Sequence, residues 1–359
     1  MDQYVVERSD TIDFAKVTTI PQPYTDGGTS YLAIDQGFAD ANRPYYRVRI
    51  DSKAGVEIAS SLPREAIDQA GNTFVVNGFP TTADTPCGDL AGNPCSDIKS
   101  ALATAAAGST IYVTPGIYTG AGNTNLTYNG KAVTVQSTNG FDVTMINCTD
   151  PVTGKKSRAF NFNKGEGRDS VLVGMTMASG ESDTGGCMAI TGSSPTIRDS
   201  MFLACNATTG VSRGGAIYAS ANPAPGPLVQ NTQFVFNWGI EGGAIFVGGD
   251  SQMTVEGSFF EWGISPTGTG RGGAIYAVLA NITVSDSIMR NGIVGLGGGA
   301  IMLERGFATI SNLEAYNNTA GNFGGAFLLF GSEMKITGSS VNGVSISFFL
   351  SSMNSIDVL

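Results

Sequence analysis

Gly214-Gly215-Ala216-Ile217, Gly242-Gly243-Ala244-Ile245, Gly272-Gly273-Ala274-Ile275, Gly298-Gly299-Ala300-Ile301 and Gly324-Gly325-Ala326-Phe327 are near-copies of one tetrapeptide, spaced 28, 30, 26 and 26 residues apart. A degenerate copy, Gly185-Gly186-Cys187-Met188, lies 29 residues upstream of the first. A fixed period in this range marks a unit that stacks on its neighbours instead of closing around a core of its own. Each Gly-Gly opens a short apolar run, such as Ala216-Ile217-Tyr218-Ala219. An alternating run follows, such as Met253-Thr254-Val255-Glu256 or Ile282-Thr283-Val284-Ser285. Period-two alternation with β-branched residues reads as half-buried strand. Nothing between the runs is long or periodic enough for a helix, which excludes βαβ crossovers.

The geometry that satisfies this pattern is an all-β coil of two or three short strands per turn. Each strand pairs in parallel with its counterpart about 4.8 Å along the axis. The Gly-Gly pairs fit corners where adjacent turns press backbone against backbone. Stacking then puts the alanines on one interior ladder and Ile217, Ile245, Ile275, Ile301 and Phe327 on another. Asparagines that close the second strand (Asn206, Asn237, Asn291, Asn317 or Asn318, Asn342) predict a ladder of exchanged amide hydrogen bonds. The expected fold is a single-stranded right-handed parallel β-helix, a solenoid with an N-terminal capping helix. A propeller would need about 40 residues per repeat.

Three segments are expected. Residues 1–85 hold only six of the chain's 49 glycines and read either as a small β domain or as an irregular arm. Candidate strands there are Val5-Val6, Tyr31-Leu32-Ala33-Ile34, Tyr45 to Ile50 and Phe74-Val75-Val76, with Pro80 to Pro86 as the boundary. Residues 86–343 form the β-helix, with room for nine or ten turns. Residues 344–359 form a C-terminal cap or tail, since Ile346-Ser347-Phe348-Phe349-Leu350 suits the last open turn. The capping helix is expected over Ser96 to Ala107, with Ser96 as N-cap and Gly108 at its end.

Composition narrows the chemistry. The net charge is −10 with no basic cluster, which argues against nucleic acid or an anionic membrane as partner. No apolar stretch is long enough to span a bilayer. The chain has no histidine, which removes Ser-His-Asp and Cys-His nucleophiles and histidine metal sites. No cofactor or metal is expected. Among the five cysteines, Cys87 and Cys95 bracket a tight Gly- and Pro-containing loop and are expected to form a disulfide. Cys187, at the interior-alanine position of the degenerate repeat, reads as a buried inert thiol. Asn-X-Ser/Thr sequons at Asn125, Asn147, Asn206, Asn281 and Asn317 are candidate glycosylation sites. Met1-Asp2-Gln3-Tyr4 does not read as a secretory signal, so an extracellular reading implies a longer precursor.

The segment from Cys87 to Cys95, then Ser96-Asp97-Ile98-Lys99-Ser100-Ala101-Leu102, Gly108 to Tyr118 and Gly130-Lys131-Ala132-Val133-Thr134-Val135, resembles the start of a pectin-lyase-like right-handed β-helix. The Gly-Gly-Ala-Ile repeats, with Phe234-Val235-Phe236-Asn237, resemble those of chlamydial polymorphic outer-membrane proteins and their eukaryotic surface relatives. That resemblance covers about residues 86–343 and implies surface display and adhesion. The chain departs from those proteins in showing no C-terminal outer-membrane barrel.

Three groups of residues are candidates for chemistry. In-register stacking puts Arg213, Glu241 and Arg271 on one vertical ladder. This is either a surface ion-pair stack or a site for an acidic sugar, with an arginine as base of a polysaccharide lyase and Glu241 as its partner. Trp238 and Trp262, with Phe236 and Phe260 nearby, either cover the turns or stack on sugars or a protein. Glu166, Asp169, Glu181 and Asp183 read as a solvated acidic loop without calcium-loop spacing. The expected function is a non-catalytic extracellular or cell-surface module for adhesion or matrix contact, with an extracellular glycan or surface protein as partner. The alternatives are a lyase or glycoside hydrolase acting on acidic polysaccharide and a self-associating component of an extracellular filament.

Overall fold

The computed structural model describes residues 94–342, apart from 209–210 and 266–267, together with Val75, Cys87 and Ser347, and otherwise the backbone alone of several short strands. The chain divides into two compact units, Met1–Asn72 with Asp89–Pro94, and Thr73–Gly88 with Cys95–Leu359. In the first unit, Gln3–Ser9 pairs antiparallel with Thr18–Ile20 and with Tyr45–Asp51. Tyr45–Asp51 also pairs with Glu57–Ser60 and Arg64–Glu65, and Tyr24–Thr25 pairs with Tyr31–Leu32. The stretch 80–86, read from the sequence as a boundary, lies outside the described residues.

The second unit is a parallel β-helix with three long sheets and a short fourth. Taking the turn that starts at Gly214, Ile217–Ser220 lies in sheet I, Leu228–Gln230 in sheet II and Gln233–Val235 in sheet III. Each pairs in strict register with the next turn: Ile217 with Ile245, Val229 with Val255, Phe234 with Phe260. Nine strands make up sheet III. The short sheet IV holds Asn206–Ala207 and, further along, Ile264–Ser265, joined by isolated bridges through Trp238. Sequence reading allowed two or three strands per turn; the fourth is a two-residue strand too brief to leave a periodic signal.

The Gly-Gly corners stack one above another, through bridges Thr184–Arg213, Arg213–Glu241, Glu241–Arg271, Arg271–Gly297 and Gly297–Phe323. The two glycines act differently. Gly214 sits at φ +64°, where an L side chain is strained. Gly215 is pinched: a Cβ there would stand 2.1 Å from Gly243 O and 2.6 Å from Trp238 N and O. The corner and sheet IV thus approach across the coil with only backbone between them. Ala216, Ala244, Ala274, Ala300 and Ala326 follow as the buried interior ladder.

One continuous core fills the coil. It includes the sheet III column Phe202–Phe234–Phe260, whose rings stack 5.0 and 4.5 Å apart and within 5° of parallel. At the corner between sheets II and III, Asn231 Nδ2 donates to Asp199 Oδ1 and, further along, Asn312 Nδ2 to Asp286 Oδ1. The expected asparagine ladder at the strand ends does not form. Asn237 and Asn318 instead point inward and bond the main chain of the preceding turn. Asn237 accepts from Cys205 N and donates to Phe202 O; Asn318 accepts from Gly292 N and donates to Met289 O. Their neighbours in the column, Cys205 and Gly292, offer no amide, so the side chains satisfy backbone groups.

The helix spans Ile98–Thr104, shorter than expected, and Asp97 is its cap. The Asp97 carboxylate accepts from Ser100 N at 2.8 Å, while Ser96 Oγ turns toward Asp97. Ile98, Ala101 and Leu102 are buried in the same core as Ile111 and Val113 of the first turns. Lys131 Nζ donates to the end carbonyls of Leu102 and Ala105 and holds the helix C-terminus down. At the other end, the backbones of Ile346–Phe349 and Ser355–Val358 pair in parallel with Phe327–Phe330 and Glu333–Thr337.

The Cys87–Cys95 disulfide is present. Cys187 is not a free thiol: it is bonded to Cys205, with Cα atoms 5.5 Å apart. The same pinch that excludes a side chain from Gly215 brings these two interior positions within bonding distance. Cys148 is the free cysteine among the described residues; burial pushes its thiol up to about 12.

Candidate functional site

The arginine–glutamate–arginine ladder forms as the sequence predicts. Glu241 sits between two turns, accepting from Arg213 Nε at 2.6 Å through one oxygen and from Arg271 Nη1 at 3.2 Å through the other. The guanidiniums also cover rings that project outward from sheet I. Arg213 lies 5.0 Å over Phe246, and Arg271 lies 5.7 Å over Tyr276. Phe246 and Tyr276 are buried beneath this cover and form, with the buried Met302 and Leu328, a second small apolar cluster. Tyr276 donates to Glu304 Oε2 at 2.8 Å; burial first, and then Glu304, push its hydroxyl well above the usual tyrosine range.

This environment opposes use of Arg213 as a base. Burial alone would ease loss of its proton. The hydrogen bond and charge of Glu241 outweigh burial and hold the guanidinium above its ordinary value. The ladder is therefore chemically an ion-pair stack in which Arg213 Nε and Arg271 Nη1 face a protein carboxylate, while the buried Arg271 Nε makes no hydrogen bond among the described residues.

The aromatic candidates separate. Phe260 points inward, in the core stack. Phe236 and Trp262 occupy successive turns at the corner between sheets III and IV, each at positive φ. Their rings stack 6.2 Å apart and 10° from parallel, and Phe236 is 52% exposed. Trp238 does not join that stack. It lies in the outward column of sheet IV, between Asn206 and Ile264, and is half-buried.

Sequence reading missed the surface next to this corner. Four successive sheet III strands bury their middle residue (Phe202, Phe234, Phe260, Met289) and leave the outer two half-buried. On successive turns the outer residues are Met201 and Leu203, Gln233 and Val235, Phe259 and Glu261, Ile288 and Arg290. Five of these eight are apolar, and all are half-buried. Arg290 marks the polar border: it pairs with Glu261 at 2.8 Å, donates to Tyr316 OH at 3.1 Å and lies 4.8 Å from the Phe259 ring centroid. At the other end, Phe141 O accepts from Thr176 Oγ1, and Thr176 and Ala178 are buried there. The outer face of sheet II, by contrast, carries Thr254, Thr283, Thr309 and Lys335 in one column. The available sequence signal was the loss of alternation in Met201-Phe202-Leu203 and Phe234-Val235-Phe236.

The acidic residues do not cluster. Glu166 is buried, contrary to the solvated-loop expectation, because three donors hold it: Gly130 N at 3.1 Å, Lys164 N at 2.8 Å and Ser193 Oγ at 2.8 Å. Glu181 pairs with Lys156, and Asp183 with Arg158. Among the described residues no group of three or more His, Cys, Asp or Glu side chains is placed to hold a metal ion. No helix there is long and apolar enough to cross a membrane. Of the sequon asparagines, Asn125, Asn281 and Asn317 are exposed, and Asn147 and Asn206 are half-buried.

No family model matches the chain, and no curated protein matches it. Among solved structures, the chain is similar to the crystal structure of pectate lyase Pel9A, at 16% identity and a TM-score of 0.45, covering 79% of this chain and 78% of that one.

Proposed function

We propose that the chain is a non-catalytic extracellular or cell-surface β-helix module for adhesion or matrix contact, which receives a protein partner on the outer face of sheet III. The carrying observation is the run Met201, Leu203, Val235, Phe259 and Ile288, apolar and partly open to solvent on successive turns of a rigid surface. Its aliphatic majority suits a protein surface better than a sugar, which would favour flat, separated rings. The polar Glu261–Arg290–Tyr316 border supplies the rim such contacts require. Two disulfides support an oxidising, extracellular compartment. The locked Arg213–Glu241–Arg271 stack supports a structural role for the one constellation with lyase-like residues.

An array of extracellular-matrix proteins and acidic glycans, probed with wild type, Val235→Glu and the sheet II control Thr283→Glu, tests the reading. Binding to a protein that Val235→Glu weakens at least tenfold, and that Thr283→Glu leaves intact, is expected. Binding confined to glycans, or unsaturated uronate products that vanish with Arg213→Ala, would overturn it.

A further inference from the structure

The strict register of the coil distinguishes the five sequons from one another. Asn206, outward on sheet IV, is bridged in register to Trp238 one turn along. Asn281, outward on sheet II, pairs in register with Phe307 one turn along, and Phe307 is 40% exposed on an otherwise polar face. Among the described residues the other three lack such a neighbour. Asn147 pairs with Ala178, and its Oδ1 accepts from Thr149 N at 3.1 Å. Asn317 follows Tyr316, whose partner is Arg290, and so stacks against Asn291. Asn125 precedes Leu126, which is bridged to Phe160, and so lies beside Ala159. Among the described residues the amides of Asn206 and Asn281 make no side-chain hydrogen bond, and the sequon hydroxyl beside Asn206, Thr208 Oγ1, is held outward by Glu181 at 2.9 Å.

We propose that Asn206 and Asn281 are N-glycosylation sites whose first sugar, an N-acetylhexosamine, packs on the rings of Trp238 and Phe307. The geometry follows from the coil. Adjacent turns stand about 4.8 Å apart. A sugar on an asparagine amide extends past the short side chain and runs alongside the longer aromatic of the next turn, at a distance suited to contact between sugar C–H groups and a ring face. Attachment forms a bond from the amide nitrogen to sugar C1. The C1–O bond to a polyprenyl pyrophosphate donor breaks, and the amide proton passes to the transferase base. This explains why a phenylalanine stands exposed among threonines: the ring is the platform for the glycan. The inference rests on the extracellular placement proposed above.

The test uses the full chain directed through a eukaryotic secretory pathway, with glycopeptide mass spectrometry on all five sites. The chain has two tryptophans, so Trp262→Phe leaves Trp238 as sole emitter. The glycosylated form is expected to show an acrylamide quenching constant about twofold lower than the enzymatically deglycosylated form or the Asn206→Gln variant. Asn206→Gln in the Trp262-containing chain repeats the comparison should Trp262→Phe disturb folding. The Asn281 glycan is expected to raise the unfolding midpoint by roughly 2 °C, and Phe307→Ser to abolish that rise. Sugar at Asn125 or Asn317 but at neither Asn206 nor Asn281 would overturn the proposal. So would occupied sites with unchanged quenching and no dependence on Phe307. These readouts do not involve a protein partner, so their failure is separable from that of the docking face.

Discussion

Substituting Gly215 by alanine probes the feature on which the coil depends. The added Cβ would meet Gly243 O at 2.1 Å and Trp238 N and O at 2.6 Å, all of them backbone atoms without rotamer freedom. Relief requires the corner to move away from sheet IV. That breaks Gly215 N to Gly242 O (3.0 Å) and disturbs the adjoining Ala216 N to Ala244 O (2.8 Å). Two backbone hydrogen bonds at about 1 kcal/mol each, plus about 1–3 kcal/mol for forced repacking, give a loss of about 3–5 kcal/mol. Because repeats couple mainly to their neighbours, the damage is local. Native-state hydrogen exchange in Ile217–Ser220 and Ile245–Gly248 is expected to accelerate more than strands several turns away. Gly167 is the control: it is exposed, and a Cβ there meets nothing within 4 Å. Gly167→Ala is expected to change stability by less than about 0.5 kcal/mol. Denaturant unfolding of both variants decides the matter. A Gly215→Ala loss below about 1 kcal/mol, or equal effects at the two sites, would refute the pinched-corner account.

Three further outcomes are expected. Replacing Cys187 and Cys205 together by serine removes a crosslink between residues 18 apart and is expected to cost about 2–4 kcal/mol in denaturant unfolding, while alkylation of native wild type leaves buried Cys148 unmodified. Glu241→Gln leaves two arginines facing a neutral amide; a loss of about 1–2 kcal/mol is expected, shrinking in high salt as exposed charges are screened. The Thr208 hydroxyl, and then Lys156, hold the Glu181 carboxyl below its ordinary 4.5. Its contribution to stability is therefore present above that value and lost as pH falls through the lower folded value. Carboxyl NMR titration is expected to show that shift, and Thr208→Ala to reduce it.

The legible parts of the fold are those governed by periodicity. Glycine recurrence located each corner, and the branched residues after it named the buried column from Ile217 to Phe327. The vertical alignment of Arg213, Glu241 and Arg271 followed from spacing alone. What escaped involved residues far apart in sequence. Cys187 looked like an alanine substitute because its partner, 18 residues on, lies just before Asn206–Ala207, a strand too short to be read. Glu166 looked solvated because its donors, Gly130 and Ser193, come from other turns. Asn237 and Asn318 looked like ladder residues, yet the interior gave them main-chain partners.

By itself the sequence determined a stacked parallel coil, since a recurring Gly-Gly with alternating apolar residues has few other ways to bury its side chains. Only the tertiary structure decided which surface is open. The outward residues of sheets I, II and III are all mixtures of polar and apolar types. On sheet I Arg213 and Arg271 fold over the buried rings of Phe246 and Tyr276. On sheet II threonines keep the face polar apart from Phe307, and on sheet III Val235 stays half-buried, as does Phe259 beneath Arg290. Whether an outward side chain is covered depends on neighbours one turn away, at about 4.8 Å in space but nearly thirty residues along the chain.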